Sequence, residues 1–174
     1  MKSENPEKIS LWDASSEEND FISDMDGDLA TDLAIVGAGF TGLSTALHAA
    51  EKGIGCHVLE AKKIGYGGSG RNAGLVNAGM WLPPAEVELK LGKKRGSELI
   101  KQLSEAPEYV FSLIERFQIR CEIRRSGTIH AAHSPSGFED LERRASTWKS
   151  LGAPVELLSR DEAAKKIGTT IYYI

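Results

Sequence analysis

The chain has 174 residues, a formal net charge of −4 at pH 7, 41% hydrophobic residues and 26% charged residues. This length suits one domain, and the sequence has neither a basic cluster indicating nucleic-acid binding nor an apolar run near the ~18 residues that cross a bilayer. The start, Met1-Lys2-Ser3-Glu4, leads into charged residues and lacks the apolar stretch of a secretory signal, so we expect a cytoplasmic protein with no nucleic-acid partner and no membrane span.

Residues 1–30 form a separate compositional block with nine acidic residues and two lysines. A stretch with this charge and little apolar content cannot bury enough surface to fold alone. We therefore expect an acidic N-terminal arm that is solvated and partly disordered. Trp12 is the side chain best suited to dock this arm onto the rest of the protein.

A strand, a glycine turn and a helix are predicted directly after the arm. The strand covers residues 31–36 and runs into the turn Gly37-Ala38-Gly39-Phe40-Thr41-Gly42. Leu33–Val36 is apolar throughout, which is typical of a strand buried on both faces. The helix is predicted from Phe40 to about Lys52, because apolar residues recur at helical spacing and a glycine follows.

The order of these elements predicts a dinucleotide-binding βαβ unit. Gly37 allows a tight turn, Gly39 lets the backbone approach a pyrophosphate, and Gly42 lets the helix pack closely on the sheet. A second strand is predicted over Cys56–Leu59, and Glu60 follows it, 18 residues after Gly42. A carboxylate at this position accepts hydrogen bonds from ribose hydroxyls and disfavours a 2′-phosphate. The pattern therefore indicates FAD or NAD, with a purely structural glycine turn as the alternative.

A second glycine-rich segment, Gly65 to Gly74, follows Glu60, and we call it the glycine-rich loop. Six of the chain's 18 glycines lie between Gly65 and Gly79, a density that excludes a regular helix or strand. Backbone N–H groups in such a loop can surround an anionic ligand, and Arg71 adds a permanent cation. The alternative is a flexible surface loop with a solvated arginine, but the position directly after Glu60 favours ligand binding.

The remaining sequence predicts helices with isolated strands. One helix begins at Pro83-Pro84, and an amphipathic helix over Glu98–Phe117 should be kinked or restarted by Pro107. The other predicted elements are a strand at Ile123–Ala132, a helix from Ser134-Pro135 to about Leu151, a short helix with the capping box Ser159–Glu162, and a strand at Thr170–Ile174.

The cysteines and histidines predict no special chemistry. Cys56 and Cys121 are isolated in apolar, strand-like surroundings, where a reduced and buried thiol is expected. His130 and His133 are three residues apart, but His130 lies in a predicted strand and no carboxylate or cysteine is near. No metal site is predicted.

The segment from Asp32 to Gly74 resembles the amino-terminal part of the FAD-dependent amine and D-amino-acid oxidase (DAO) family, and within it the gamma-glutamylputrescine oxidoreductases most. The similarity rests on Asp-Leu-Ala-Ile-Val-Gly-Ala-Gly-Phe-Thr-Gly-Leu-Ser, on Val-Leu-Glu-Ala and on Ile-Gly-Tyr-Gly-Gly-Ser-Gly-Arg-Asn-Ala-Gly. Members typically carry a similar loop with alanine at Gly68 and glycine at Ala73. A weaker resemblance continues to Trp148, and relatives often have an early tryptophan where Trp12 stands.

The resemblance implies FAD as the cofactor, bound by three segments of this chain. The glycine turn would face the pyrophosphate, Glu60 the adenosine ribose, and the glycine-rich loop would run along the pyrophosphate towards the isoalloxazine. The implied cofactor-binding residues are Gly37, Ala38, Gly39, Phe40, Thr41, Gly42, Glu60, Ala61, Gly68, Ser69, Gly70, Arg71, Asn72 and Gly74. No catalytic residue is identified.

The implied reaction is oxidation of a C–N bond in a small-molecule amine or amino acid, with a gamma-glutamylputrescine-like substrate favoured. A hydride passes from the carbon bearing the amine to the flavin, water hydrolyses the imine, and O2 or another acceptor reoxidises the flavin. Two alternatives remain open. An NAD-dependent dehydrogenase fits the glycine turn and Glu60 but leaves the glycine-rich segment from Gly65 to Gly79 unexplained, and a truncated remnant would retain the motifs without binding or catalysis.

The predicted fold class is α/β: a Rossmann-like FAD-binding βαβ unit followed by the start of an α+β substrate domain. We expect the acidic arm over residues 1–30, the βαβ unit and glycine-rich loop over 31–80, and a helical segment with the first strands of the substrate domain over 81–174. The chain is expected to be a truncated amino-terminal fragment, because the later strands and the late glycine-rich segment of the family are missing from this sequence.

Overall fold

The computed structural model describes residues 10–17 and 22–172, and these divide into two compact units with the boundary between Leu75 and Val76. The first unit contains helix α1, strand β1, helix α2, strand β2 and one turn of 3₁₀ helix, and the second contains helices α3 to α6. In chain order the bounds are α1 Leu11–Ser15, β1 Leu33–Val36, α2 Phe40–Glu51, β2 Cys56–Leu59, the 3₁₀ turn Gly68–Gly70, α3 Pro84–Leu91, α4 Lys93–Arg116, α5 Pro135–Ser150 and α6 Arg160–Ile167.

The first unit is built on the predicted βαβ arrangement. β1 and β2 pair in parallel, with Leu33 opposite Cys56 and Val36 opposite Leu59, and α2 packs on both strands. The helix ends at Glu51, within one residue of its predicted end. The strand–turn–helix–strand order, and with it the α/β core of the predicted fold class, is therefore confirmed.

The prediction that β1 is buried on both faces is wrong for the described residues. Ile35 is 8% exposed, whereas the next residue, Val36, is 88% exposed. Consecutive side chains of a strand point to opposite faces of its sheet, so only the face that carries Ile35 is covered here.

The second unit begins with two packed helices joined at Gly92, which has a φ of +77°. α3 starts at Pro84, as predicted from the proline pair, and its Val87 is buried. The two helices approach closely at Gly96, where an added Cβ would lie 2.7 Å from the Cα of Glu88. A glycine on this face of α4 therefore permits the contact.

α4 runs without a break through Pro107, so the predicted restart of this helix does not occur. Proline has no N–H to donate to the carbonyl four residues earlier, which is that of Leu103. The backbone N–H of Gly79 donates to this carbonyl instead, at 3.1 Å. A neighbouring segment thus satisfies the acceptor that the proline leaves open, which allows the helix to continue.

The predicted strand over Ile123–Ala132 is not formed in the described residues, apart from an isolated bridge at Ala132. A strand is stabilised by ladder hydrogen bonds to a neighbour, and no second strand of the described second unit supplies them. Cys121, just before this segment, is exposed and not buried as predicted, whereas Cys56 is half-buried on β2; both thiols are free.

The last two predicted helices are confirmed. Ser134 accepts a hydrogen bond from the N–H of Gly137 at 3.1 Å and caps α5, and the capping box of Ser159 and Glu162 begins α6. The strand predicted at Thr170–Ile174 is absent over residues 170–172, and its last two residues lie outside the described part of the chain. Across the described ranges, no helix has both the length and the apolar character needed to cross a membrane.

Candidate cofactor site

The glycine turn joins β1 to α2 with little free space. Gly37 has a φ of +99°, and its N–H donates to the carbonyl of Leu59 at 2.8 Å, which extends the parallel ladder by one residue. A Cβ on Gly42 would overlap the carbonyl oxygen of Gly37 and lie 3.3 Å from Cγ2 of Ile35. The close helix–sheet approach predicted for Gly42 is therefore present in the structure.

Glu60 closes the same turn from the end of β2. One carboxylate oxygen accepts a hydrogen bond from the N–H of Ala38 at 2.8 Å, and the other accepts from the N–H of Lys62 at 3.0 Å. These backbone donors, with that of Ala38 first, lower the pKa of Glu60. The side chain is thus an oriented carboxylate, and each oxygen keeps a further lone pair with which to accept a hydroxyl proton.

Ser69 of the glycine-rich loop reaches the amino end of α2. Its hydroxyl oxygen accepts from the N–H of Phe40 at 3.0 Å, which is one of the N–H groups that a helix leaves without an internal partner. A Cβ on Gly39 would lie 2.9 Å from the same oxygen. The loop therefore covers the helix end at which an anion is expected to bind.

Backbone hydrogen bonds fold the glycine-rich loop back onto the glycine turn. The N–H of Gly65 donates to the carbonyl of Ala38 at 2.9 Å, and the N–H of Gly70 donates to Gly65 at 2.8 Å. A Cβ on Gly70 would overlap the Gly65 carbonyl oxygen. Glycine is thus required at Gly70 by close backbone contact.

Two cations, Arg71 of the glycine-rich loop and Lys62 just before it, lie over the ring of Tyr66. The guanidinium of Arg71 lies 4.7 Å from the ring centroid of Tyr66, and the ammonium of Lys62 lies 5.8 Å from it. Arg71 is exposed. A ring face attracts a cation through its quadrupole, so Tyr66 holds positive charge at the loop, a role that the sequence did not predict.

Asn72 and Gly74 shape the end of the loop. The side-chain amide of Asn72 donates to the carbonyl of Ser69, and its amide oxygen accepts from the N–H of Gly74 at 2.6 Å. These contacts brace the turn that follows the 3₁₀ helix. Both side-chain groups of Asn72 therefore stabilise the loop itself.

Helix α1 of the acidic arm contacts this end of the loop, which confirms the docking predicted for Trp12. The indole N–H of Trp12 donates to the carbonyl of Asn72 at 2.8 Å, and a Cβ on Gly74 would lie 2.9 Å from the indole ring. Asp13 forms a 2.7 Å ion pair with Lys63, just before the loop. This pair and the hydrogen bonds from Ser10 lower the pKa of Asp13 to about 2.

The remaining predicted site residues have fewer constraints. Ala61 lies in an exposed bend after β2, and Thr41 lies exposed in the first turn of α2. A Cβ on Gly68 would meet nothing within 4 Å. The structure therefore brings together the glycine turn, Glu60 and Ser69, while Ala61, Thr41 and Gly68 border them. The described residues contain no group of three metal-binding side chains.

Comparison with known proteins agrees with this arrangement. The profile of the DAO family, described as FAD dependent oxidoreductase, matches residues 32–172. The chain is 32% identical over 145 residues to gamma-glutamylputrescine oxidoreductase of Escherichia coli strain K12, covering 83% of this chain and 34% of that protein. It is 28% identical over 166 residues to the probable oxidoreductase OrdL of Rhizobium meliloti, covering 94% of this chain and 39% of the relative.

A third relative is the glycine oxidase of Geobacillus kaustophilus, 26% identical over 132 residues, which covers 76% of this chain and 33% of that enzyme. No solved structure matches the chain significantly. The aligned part thus amounts to between 33% and 39% of the length of these relatives. Because the family profile matches most of the chain and a relative above 30% identity covers 83% of it, the chain belongs to the DAO family of FAD-dependent oxidoreductases.

Proposed function

We propose that this chain supplies the FAD-binding amino-terminal part of an oxidoreductase that oxidises a C–N bond of an amine or amino acid. The observation that carries the proposal is the oriented Glu60 carboxylate beside the glycine turn, 2.8 Å from the N–H of Ala38. Its environment keeps it ionised, so it can only accept hydrogen bonds. The adenosine ribose of FAD offers the hydroxyl donors that such a group needs.

The neighbouring groups fit the phosphates of the same cofactor. The amino end of α2 at Phe40 provides N–H groups and the positive end of a helix dipole, and the glycines at 37 and 42 bring backbone close to it. Arg71, two residues after Ser69 in the glycine-rich loop, adds a permanent positive charge that lies over Tyr66. These features support assigning the pyrophosphate to the space between the glycine turn and the glycine-rich loop.

FAD, when bound, supplies the ring that accepts a hydride from the substrate carbon. The residues of this chain would bind FAD and orient it. Glu60 fixes the adenosine end, the glycine turn fixes the phosphates, and Ser69 and Arg71 line the path along the pyrophosphate. No proton transfer is assigned to a side chain of this chain.

The names of the relatives guide the proposed substrate class. One relative is a gamma-glutamylputrescine oxidoreductase and another is a glycine oxidase, so we propose an amine or amino acid as substrate, with a gamma-glutamylputrescine-like compound as the first to try, and O2 or another acceptor as oxidant. We also propose that residues 31–80 form the FAD-binding part and residues 81–174 the start of the substrate domain. The NAD-dependent alternative has no support, because the family is FAD-dependent.

The first test is a titration of the full chain with FAD, in which binding is measured by the quenching of flavin fluorescence. We expect stoichiometric binding, and we expect Glu60→Gln to weaken it by about 10- to 100-fold because hydrogen bonds to a charged acceptor are worth about 1.5–3 kcal/mol. Gly39→Val should weaken it further, because a side chain there displaces Ser69 and blocks the backbone from the phosphates.

Glu86→Gln is the matched control, since it makes the same charge change at an exposed position on α3 in the second unit. It should leave the FAD dissociation constant unchanged. Retention of stoichiometric flavin by the Gly39→Val protein, or tighter binding of NAD than of FAD, would contradict the proposal. A folded chain that binds neither cofactor would instead favour the non-catalytic remnant.

A further inference from the structure

Helix α1 contacts the chain just before the glycine-rich loop and again near the end of that loop. Before the loop, the carboxylate of Asp13 pairs with the ammonium of Lys63 at 2.7 Å. After the 3₁₀ turn, the indole N–H of Trp12 donates to the carbonyl of Asn72 at 2.8 Å. Two consecutive side chains of one short helix therefore fix the beginning and the end of the same loop.

We propose that α1 is a strap that holds the glycine-rich loop in its FAD-binding shape, with Trp12 and Asp13 as positioning residues. This inference rests on the proposed function, because it concerns the same cofactor loop. Neither residue is among those that the family resemblance implies to bind FAD. The strap would therefore act on the cofactor only through the loop.

The loop needs such a restraint because of its composition. Five of its ten residues, from Gly65 to Gly74, are glycine, and glycine loses more conformational freedom on ordering than any other residue. If FAD alone ordered the loop, the entropy lost on ordering would weaken FAD binding. A loop that is already fixed at both ends avoids it, which is the general advantage of preorganisation.

The indole is fitted to this position by more than its hydrogen bond. Gly74 has a φ of +71°, and a Cβ there would lie 2.9 Å and 3.1 Å from two carbon atoms of the Trp12 ring. The ring therefore packs directly on the backbone of Gly74. This contact explains why glycine is required at the end of the loop.

Hydrogen bonds connect Trp12 to the amino end of α2. The carbonyl of Asn72 accepts from Trp12, the side-chain amide of Asn72 donates to the carbonyl of Ser69, and the hydroxyl of Ser69 accepts from the N–H of Phe40. Displacement of the indole should therefore loosen Ser69. Ser69 lies at the helix end proposed to bind the pyrophosphate.

The capping of α1 allows a helix of only five residues to act as a strap. Ser10 and Asp13 form a reciprocal capping box, in which the Ser10 hydroxyl accepts from the N–H of Asp13 at 3.1 Å and the Asp13 carboxylate accepts from the N–H of Ser10 at 3.0 Å. Asp13 thus stabilises the start of the helix and pairs with Lys63 at the same time.

The test uses a protease specific for arginine on the full chain without FAD. Arg71 is the first arginine of the sequence and the next is Arg95, so cleavage within the loop releases a unique amino-terminal fragment. When cleavage is slow compared with closing of the loop, the rate of cleavage is proportional to the population of the open loop. We expect Trp12→Ala to raise the rate of cleavage after Arg71 by about tenfold or more, while cleavage after Arg160 on α6 stays unchanged.

Leu11→Ala is the matched control, because Leu11 lies on the same helix and is 71% exposed; it should cleave like the wild type. Lys63→Gln tests the ion pair and leaves the capping box of Asp13 with Ser10 intact. It should speed cleavage after Arg71, whereas Lys52→Gln, the same charge change at an exposed lysine after α2, should not. Unchanged cleavage in Lys63→Gln would overturn the role of the ion pair.

FAD titration of the same variants completes the test. Trp12→Ala should raise the FAD dissociation constant by about tenfold, and Trp12→Phe, which keeps an aromatic ring but removes the N–H, should fall between it and the wild type. Unchanged cleavage after Arg71 in Trp12→Ala would overturn the strap, and faster cleavage with an unchanged dissociation constant would overturn its role in FAD binding. A wild-type chain that binds no FAD would refute the proposed function, while the cleavage rates would still decide whether α1 holds the loop.

Discussion

Gly79 and Gly127 show how the surroundings of a residue decide the effect of a substitution. These two glycines of the second unit have nearly the same φ, +74° and +76°. A Cβ on Gly79 would lie 3.1 Å from two carbon atoms of the Trp148 ring, whereas a Cβ on Gly127 would meet nothing within 4 Å. The two positions therefore share the backbone strain and differ in the steric contact.

We expect Gly127→Ala to lower the free energy of unfolding by about 1–2 kcal/mol, since an L residue in the left-handed region costs roughly that amount. Gly79→Ala should lower it by about 1 kcal/mol more, because Trp148 must also move. Urea unfolding of the two variants and the wild type measures both values. An equal decrease in the free energy of unfolding of the two variants would show that the contact with the Trp148 ring does not affect stability.

The residue contacts that sequence could predict are those set by neighbours in the chain. The approach of Gly42 to β1 follows from its place in the turn, and the cap of Ser159 follows from its spacing to Glu162. The contact of Ser69 with Phe40 joins residues 29 positions apart and depends on how the loop folds back, so composition gave no sign of it. The pairing of Asp13 with Lys63 was missed for the same reason.

Gly42 controls how closely α2 packs on β1 in the first unit. Gly42 faces the strand at a point where a side chain would overlap the backbone carbonyl of Gly37 and approach Ile35. A backbone carbonyl cannot rotate away as a flexible side chain can. The helix position therefore depends on the missing Cβ.

Gly42→Ala should lower the free energy of unfolding by about 2 kcal/mol or more. Overpacking of this kind costs about 1–3 kcal/mol, and the favourable helix propensity of alanine, about 1 kcal/mol, offsets only part of a backbone overlap. Chemical unfolding measures the loss. Ser44→Ala on the exposed side of the same helix should stay within about 0.5 kcal/mol of the wild type, and a similarly small effect for Gly42→Ala would contradict the close packing.

Elements were predicted well where local signals were sufficient. α2 carries an apolar period and a glycine after its end, and α5 and α6 begin at serine caps, and these signals act within a few residues. The predicted strand at Ile123–Ala132 has β-branched residues at Ile123, Thr128 and Ile129 as its main signal, and such a run becomes a strand only where a partner strand pairs with it. The continuity of α4 through Pro107 likewise depends on Gly79, 28 residues before the proline in the chain.

At the scale of the whole molecule, the residues implied to bind FAD all precede Leu75, the last residue of the first unit. The acidic composition of residues 1–30 predicted a separate arm. Composition could not predict that Ser10 caps helix α1 in this arm or that Trp12 of α1 contacts Asn72. The proposed FAD site therefore lies within the first unit.

Hydrogen exchange with and without FAD should therefore show localised protection. A ligand that binds only the folded state stabilises it by about 2.7 kcal/mol at a concentration 100 times its dissociation constant, and amides that open locally near the ligand gain protection first. We expect slower exchange in peptides covering the glycine turn, the glycine-rich loop and α1, and unchanged exchange in peptides of α5, Pro135–Ser150. Protection of α5 alone, or of no peptide in the first unit at saturating FAD, would contradict both the assigned site and its position in the chain. Protection of the turn without the loop would contradict the proposed contact of the glycine-rich loop with the pyrophosphate, because amides that contact the cofactor gain protection even in a loop that α1 already holds.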